Sequence, residues 1–200
     1  MTALASPAFI IIVVTSMIIL VFRDWRINAG ALALQYIAVF ILVSLSWPIG
    51  VAVTKLIVGW MATASIALTC MRQLTSDPPP EPTASLFFRG LAGLLIILVI
   101  FVLSPSLQAT MFPRVNVYII QGGIMLIGMA LMQLGTNAEP TLTIFSLLSF
   151  LAGFEVIHAA LELSTLLTGL LVLINLTLAL IGVYFIVKSN ENKPEPKEEG

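Results

Sequence analysis

Polar positions divide the chain into seven long apolar runs. A helix that crosses the hydrocarbon layer needs about 20 mostly apolar residues, since each adds ~1.5 Å across a layer of ~30 Å. Stretches that meet or approach this length run over residues 5–22, 29–47, 49–71, 86–104, 116–135, 142–163 and 165–187. They are too long and too uniformly apolar for the ~10-residue alternating strands of a membrane barrel. We therefore predict an all-α, polytopic membrane protein with about seven transmembrane helices.

Two of the connections between spans must be short. Trp47, Pro48 and Gly50 combine an interfacial aromatic residue with two helix-ending residues, which predicts a tight turn between the second and third spans. Residues 142–187 are almost unbroken and would reach roughly 69 Å as one helix, more than twice the apolar thickness. A turn is therefore expected at Ser164 and Thr165, whose hydroxyls can bond the backbone groups that a turn frees.

The remaining polar stretches predict how the chain is organised. Residues 1–74 hold the first three spans, and residues 85–188 hold the other four. Between them, residues 75–84 form a linker whose four prolines favour an extended chain. Residues 189–200 are charged and polar, so we predict a disordered tail. The first three and last three spans make two triplets of the same orientation, which is typical of a parallel repeat.

Composition excludes a water-soluble fold and several classes of function. The chain is 59% hydrophobic and 10% charged, too little polar surface to cover a globule of 200 residues. The net charge of -1 argues against a nucleic-acid partner, and the single cysteine, Cys70, excludes an internal disulfide framework. No Lys or Arg precedes the first apolar run, Met1 to Phe22, so we interpret it as a retained span and not a cleaved signal.

Basic residues predict the orientation, because cytoplasmic loops carry an excess of Lys and Arg. With seven spans, only Arg114 falls on one face. The other face collects seven basic residues, namely Arg23, Arg26, Arg72, Arg89, Lys188, Lys193 and Lys197. This bias predicts an N-terminus outside and a C-terminus in the cytoplasm. We expect the chain in the inner (plasma) membrane of the cell, as a multi-pass protein.

Few ionisable residues fall inside the predicted spans. A charge at the bilayer centre costs at least ~2.5 kcal/mol, so each such group is a functional candidate. Lys55 lies in the third span, while Glu155, His158 and Glu162 lie in the sixth. At ~100° per residue, the three residues of the sixth span lie within about 60° of one another and form one polar stripe.

The predicted depths of Lys55 and Glu155 in the membrane would allow the two side chains to form an ion pair. Counting ~1.5 Å per residue from the nearest turn, Lys55 is roughly 9 Å deep, Glu155 roughly 12 Å and His158 roughly 8 Å. An ion pair between Lys55 and Glu155 would lower the insertion cost of both, and such a Lys/Glu/His set could pass a proton. The alternatives are a Lys55 that extends to the interface, a His158 satisfied by one carbonyl, and a Glu162 that is only a solvated turn residue.

The other polar positions predict packing and no cofactor. Asn175 and Gln35 are amides that commonly bond one helix to another, and Gly122, Gly123 and Gly128 permit close helix packing. Glu155, His158 and Glu162 are spaced i, i+3 and i+7 on one helix. Ligands in that arrangement leave the coordination shell of a metal ion open, so we expect no metal site. No Ser-His-Asp set, phosphate loop or CxxC motif is present, and we expect no catalytic centre in the chain itself.

Two stretches carry a resemblance to a known family. The run from Leu151 to Val187 resembles the last two spans of the NuoK-type subunit of respiratory complex I. Gly153-Phe154-Glu155 matches the family's GLE-type acid, and Leu178 to Gly182 matches its apolar ending. The family carries a second glutamate in its last span. Here the matching region, 172–176, offers only Asn175, which cannot ionise, so a complete two-glutamate relay is in doubt.

Length and layout resemble a relative of that subunit, the hydrogenase-4 component E family. The similar segments are Val53 to Val58, which holds the Thr54-Lys55 pair, and Arg23 to Gln35. The resemblance implies an integral membrane subunit of a complex-I-like or membrane-hydrogenase-like assembly. Such a subunit would take part in proton translocation, with lipid and other membrane subunits as partners. The alternatives are a non-conducting subunit that bridges antiporter-like subunits, and a stand-alone small transporter.

Overall fold

The structure is a computed structural model that describes residues 4–73, 82–137, 139–161 and 164–191. These residues form seven helices and no strand, and the all-α prediction is confirmed. Six of the helices are long and apolar enough to cross a membrane, while α1, with 17 residues, is shorter. The helices are α1 (Ala5–Val21), α2 (Trp25–Ser44), α3 (Ile49–Gln73), α4 (Thr83–Met111), α5 (Val117–Thr136), α6 (Pro140–Leu161) and α7 (Thr165–Glu191).

Polar caps explain where two helices begin. The α2 helix starts at Trp25, earlier than predicted, because the Asp24 carboxylate accepts a hydrogen bond from the Arg26 N–H at 2.8 Å. The turn before α7 lies where the sequence predicted it. There the Leu167 N–H donates to the Ser164 hydroxyl at 3.4 Å, one turn into the helix.

The predicted linker and tail are partly helical. The α4 helix begins at Thr83, inside the predicted linker, and α7 continues to Glu191, inside the predicted tail. Residues 75–81 and 192–200 lie outside the described residues. The α4 helix also passes through Pro105 to Met111, beyond the predicted end of its span at residue 104. One proline removes a single backbone donor, and the Ser104 hydroxyl beside it donates to the Ile100 carbonyl at 2.6 Å.

The helices pack as two rows of three. One row is α1, α2 and α3, the other is α5, α6 and α7, and each helix contacts its counterpart across the rows. Counterparts run parallel and in register. Gln133 donates to the Ile19 carbonyl, Ser149 to Gln35 and Trp47 to the Ala159 carbonyl, at sequence separations of 112 to 114 residues. This is the arrangement that a parallel repeat of three helices would produce.

The α4 helix stands outside the two rows. It packs along α5 and α1, and only 17% of its apolar window is buried. Its exposed side chains are large and apolar, which suits contact with lipid. They include Phe87, Leu91, Leu95, Leu98 and Val102.

The bundle has two distinct ends. The end that carries Arg23, Arg26, Arg72 and Arg89 is called the basic face. At this face, the Arg23 guanidinium donates to Asn137 at 2.7 and 3.1 Å, and Asn190 donates to the Gln73 carbonyl at 2.9 Å. The other end, called the opposite face, carries the turn between α2 and α3 and the loop with Arg114.

Two glycines set the distance between α5 and α6. A Cβ atom at Gly153 would lie 2.7 Å from the Gly123 carbonyl oxygen, and one at Gly123 would meet the Ile157 side chain. The two backbones therefore approach more closely than any larger residue permits. This contact holds the segment of α6 that carries Glu155, two residues further on.

A methyl group at Gly153 should separate these helices. We expect Gly153→Ala to cost about 1–3 kcal/mol, because the Cβ atom meets a backbone carbonyl that cannot rotate away. Gly169→Ala is the matched control, since a Cβ atom there meets nothing within 4 Å. Thermal unfolding in detergent checks this prediction. Equal melting temperatures for the two variants would contradict the tight contact.

Candidate functional site

The two charges predicted to pair lie in contact inside the bundle. The Lys55 Nζ atom is 3.2 Å from Glu155 Oε2, and each side chain is 2% exposed. Lys55 lies seven residues into α3, and Glu155 lies six residues before the end of α6. Lys55 therefore points inward and does not extend to the interface. Its long stem reaches from one row of helices to a diagonal neighbour in the other row.

One carboxylate oxygen of Glu155 can accept further hydrogen bonds or a proton. Oε2 faces Lys55, whereas Oε1 is buried and accepts no hydrogen bond from the part of the chain that the structure describes. Buried polar atoms are nearly always hydrogen-bonded, so an unbonded lone pair in the interior is an exception that a chemical role can explain. Oε1 is therefore the atom at which this pair can gain a proton without breaking the contact between Oε2 and Lys55.

Two further helices complete the surroundings of the pair. Asn175 of α7 lies beside the Glu155 carboxylate, and its side-chain amide is 3.4 Å from the Tyr36 hydroxyl of α2. Tyr36 is 2% exposed, and its ring packs against Gly59 of α3, one turn from Lys55. A side chain at Gly59 would occupy the space of this ring. The pair thus lies at the centre of α2, α3, α6 and α7, bordered by a phenol and an amide.

His158 lies one turn from Glu155 toward the opposite face. Its side chain is 7% exposed, and its ring stacks on Phe154 at 6.4 Å between centroids. Trp47 closes this end of the bundle, since it is buried and its indole N–H donates to the Ala159 carbonyl at 2.7 Å. His158 is therefore inside the protein, between the ion pair and the nearer surface. Glu162 lies outside the described residues.

Gln35 belongs to a second polar cluster. Its amide nitrogen donates to the Ser16 hydroxyl at 3.1 Å, and its carbonyl accepts from the Ser149 hydroxyl at 2.9 Å. This cluster joins α1, α2 and α6 and is fully buried. Because Gln35 and Tyr36 are neighbours in α2, the two clusters are adjacent in the chain. Both amides thus form hydrogen bonds between helices, as the sequence predicted. Asn175 lies beside the ion pair, whereas Gln35 belongs to the neighbouring cluster.

Polar side chains continue from the second cluster toward the basic face. Gln133 donates to the Ile19 carbonyl at 2.7 Å, and a narrow slot lies between it and the two serines. The slot holds no water-sized space. Gln133 and the Gln35 cluster are therefore not joined here by a space that a water molecule could occupy.

Sequence reasoning missed Tyr36, Ser16 and Ser149. A tyrosine in mid-span is a detectable signal, because a buried phenol needs a hydrogen-bond partner. The serines gave no such signal, since a hydroxyl in a membrane helix can bond its own backbone, as Ser146 does at 2.7 Å. Among the residues described, no three His, Cys, Asp or Glu side chains cluster as metal ligands would.

The arrangement can bind and release a proton within the bundle. A carboxylate and an ammonium group in contact can hold or pass one proton between them, and His158 is the nearest ionisable group on the same helix. Comparison with protein-family models, with curated proteins and with solved structures finds no match. The residues of this site therefore carry the functional argument.

Proposed function

We propose that the chain is a membrane subunit that takes part in proton translocation within a complex-I-like or membrane-hydrogenase-like assembly. The observation that carries this proposal is the ion pair between Lys55 and Glu155, 3.2 Å apart and 2% exposed. Burying two charges costs several kcal/mol per ion, and apolar residues of similar size would stabilise the bundle as well or better. The buried pair of Lys55 and Glu155 therefore supports a functional role more than a structural one.

Proton transfer through the pair follows from charge balance. A proton that binds Glu155 Oε1 makes the carboxyl neutral and leaves Lys55 as a buried cation without a counter-charge. That state is costly, so Lys55 releases its own proton on the other side. A proton then passes from the carboxyl to the amine, which restores the ion pair. In sum, one proton enters, one leaves, and the charge of the pair is unchanged.

Polar groups on both sides of the ion pair provide the routes by which a proton would reach it and leave it. His158 lies on the opposite-face side and can hand a proton to Glu155, since an imidazole can gain and lose a proton at its ring nitrogens. On the other side, Asn175 and Tyr36 border the pair, and the Gln35 cluster follows along α2. The slot beside Gln133 has no space for a water molecule, so a proton would pass along this side through the side chains themselves. Glu162 is proposed as a further relay group on the strength of the sequence.

Lys55 takes the place of a second acid in this proposal. The NuoK-type pattern carries two glutamates, whereas this chain has Asn175 in the matching region. The Asn175 amide lies beside Glu155 and contacts Tyr36, so it can orient the carboxylate. The second ionisable group comes instead from α3, which lies in the other row of helices.

We place the basic face in the cytoplasm of a cell with the chain in its inner membrane. The support is the distribution of Lys and Arg, which leaves only Arg114 at the opposite face. With an odd number of crossings, the N-terminus is outside and the C-terminus inside. Protons would then reach His158 from the outside, or leave by that route.

Purification from the native membrane tests membership in an assembly. The full chain, tagged at its C-terminus and extracted in mild detergent, should migrate on a native gel with larger membrane proteins. Deletion of the gene should abolish proton pumping by inverted vesicles from the same cells. A chain that migrates alone, in vesicles whose redox-driven pumping is unchanged by the deletion, would contradict a subunit role and favour the stand-alone transporter.

A further inference from the structure

A second site lies at the opposite face, apart from the ion pair. We propose that it binds one anionic phospholipid, with the phosphate at Arg114 and an acyl chain in the groove between α5 and α6. The polar part is a pocket of about 250 Å³ at the loop before α5. It is lined by Leu45, Ser46, Arg114, Val115, Asn116, Ile119 and Ala160.

The pocket offers donors and a positive charge. Arg114 contributes a guanidinium, which binds phosphate oxygens in pairs, and Ser46 contributes a hydroxyl. Asn116 uses its side-chain oxygen to cap α5, accepting from the Tyr118 N–H at 3.0 Å, so its amide nitrogen is left to donate. No carboxylate is present among the described residues that line this pocket. A phosphate group matches this set in charge and in hydrogen bonding.

An apolar groove continues from the same pocket along the bundle. It shares Val115, Ile119 and Ala160 with the polar part, so the two are contiguous. The groove has no polar lining and a volume of about 50 Å³. The rest of its lining is Phe112, Ile120, Ile124, Ile157 and Leu161. Its apolar lining suits a short part of a hydrocarbon chain.

The two parts together select the ligand class. A free phosphate would use Arg114 but leave the groove empty, and a neutral hydrophobic molecule would fill the groove but leave the guanidinium without an anion. A phospholipid with a net negative headgroup satisfies both, and a membrane around the apolar helices would supply it. Neither Glu155 nor Lys55 lines the site, so lipid binding can be measured separately from the ion pair.

Binding to the delipidated full chain in detergent tests the proposal. Native mass spectrometry counts bound lipid while dioleoyl phosphatidylglycerol, dioleoyl phosphatidylcholine or inorganic phosphate is titrated. We expect one phosphatidylglycerol to bind with at least tenfold higher affinity than phosphatidylcholine. Arg114→Gln should remove that preference, and Arg114→Lys should keep most of it. Arg72→Gln, an exposed arginine at the basic face, is the matched control and should bind as the unaltered chain does.

The groove is tested with a second variant. Ile124→Trp fills the apolar part without touching Arg114, so it should weaken binding of the dioleoyl lipid by tenfold or more and leave a short-chain dihexanoyl phosphatidylglycerol unaffected. Equal affinity of the unaltered chain and Arg114→Gln would overturn the proposal. So would competition by inorganic phosphate at the same concentration as the lipid, because the site would then recognise a free anion.

Discussion

Lys55→Met and Glu155→Gln should each destabilise the bundle, and the double variant should be more stable than the sum of the two losses predicts. Each single change leaves one charge 2% exposed without its partner, which costs about 3–5 kcal/mol for a buried pair. The double change leaves no charge at all. We therefore expect a coupling energy of about 2–3 kcal/mol, measured as thermal or denaturant unfolding of the four proteins in detergent.

A distant arginine provides the control for this double-mutant comparison. Arg72 lies 17 residues beyond Lys55 on the same helix, a rise of about 25 Å, and it is exposed. Arg72→Gln combined with Glu155→Gln should be additive within about 0.5 kcal/mol. If the losses of stability from Lys55→Met and Glu155→Gln also added within about 0.5 kcal/mol, the two charges would not depend on each other.

The pattern of apolar residues predicted the number of helices because lipid imposes one length on every span. It located six of the seven helices to within a few residues at both ends, and the exception, α4, shows why ends are harder. The prediction stopped α4 just before Pro105, but a proline removes only one backbone donor, and the helix continues through it to Met111. Likewise, the prediction missed the Asp24 cap, whose effect is local and does not alter hydropathy.

Depth counting could anticipate the ion pair but not its surroundings. Lys55 and Glu155 were expected at similar depths from the turns, and depth depends only on position along the chain. The arrangement of helices in the membrane plane decides which side chains share that depth, and hydropathy carries no information about it. For this reason the contact of Asn175 with Tyr36, and that of Gln35 with Ser149, emerge only from the packing of the two rows.

Glu155→Gln should abolish proton movement while the assembly still forms. An amide keeps the shape of the carboxyl group, yet it cannot gain or lose a proton. We expect the rate per assembled complex to fall by about 100-fold or more, as for loss of a proton-transferring group. Glu155→Asp keeps the acid at a shorter reach and should retain part of the rate.

Glu139→Gln is the matched control for this loss. It makes the same chemical change just before α6, at the basic face, where the side chain is exposed. It should leave both assembly and rate unchanged. A similar loss in Glu139→Gln and Glu155→Gln would show that the effect comes from removing any acid near this helix.

Proton pumping by inverted native vesicles, normalised to the amount of assembled complex on a native gel, is the most direct measurement of the buried pair's role. The proton-transfer account predicts that the Glu155→Gln complex still assembles, in smaller amount because Lys55 loses its partner, and that its pumping per complex falls by about 100-fold or more. Full pumping by an assembled Glu155→Gln complex would contradict it, and would leave Lys55 and Glu155 as a structural contact in a non-conducting subunit.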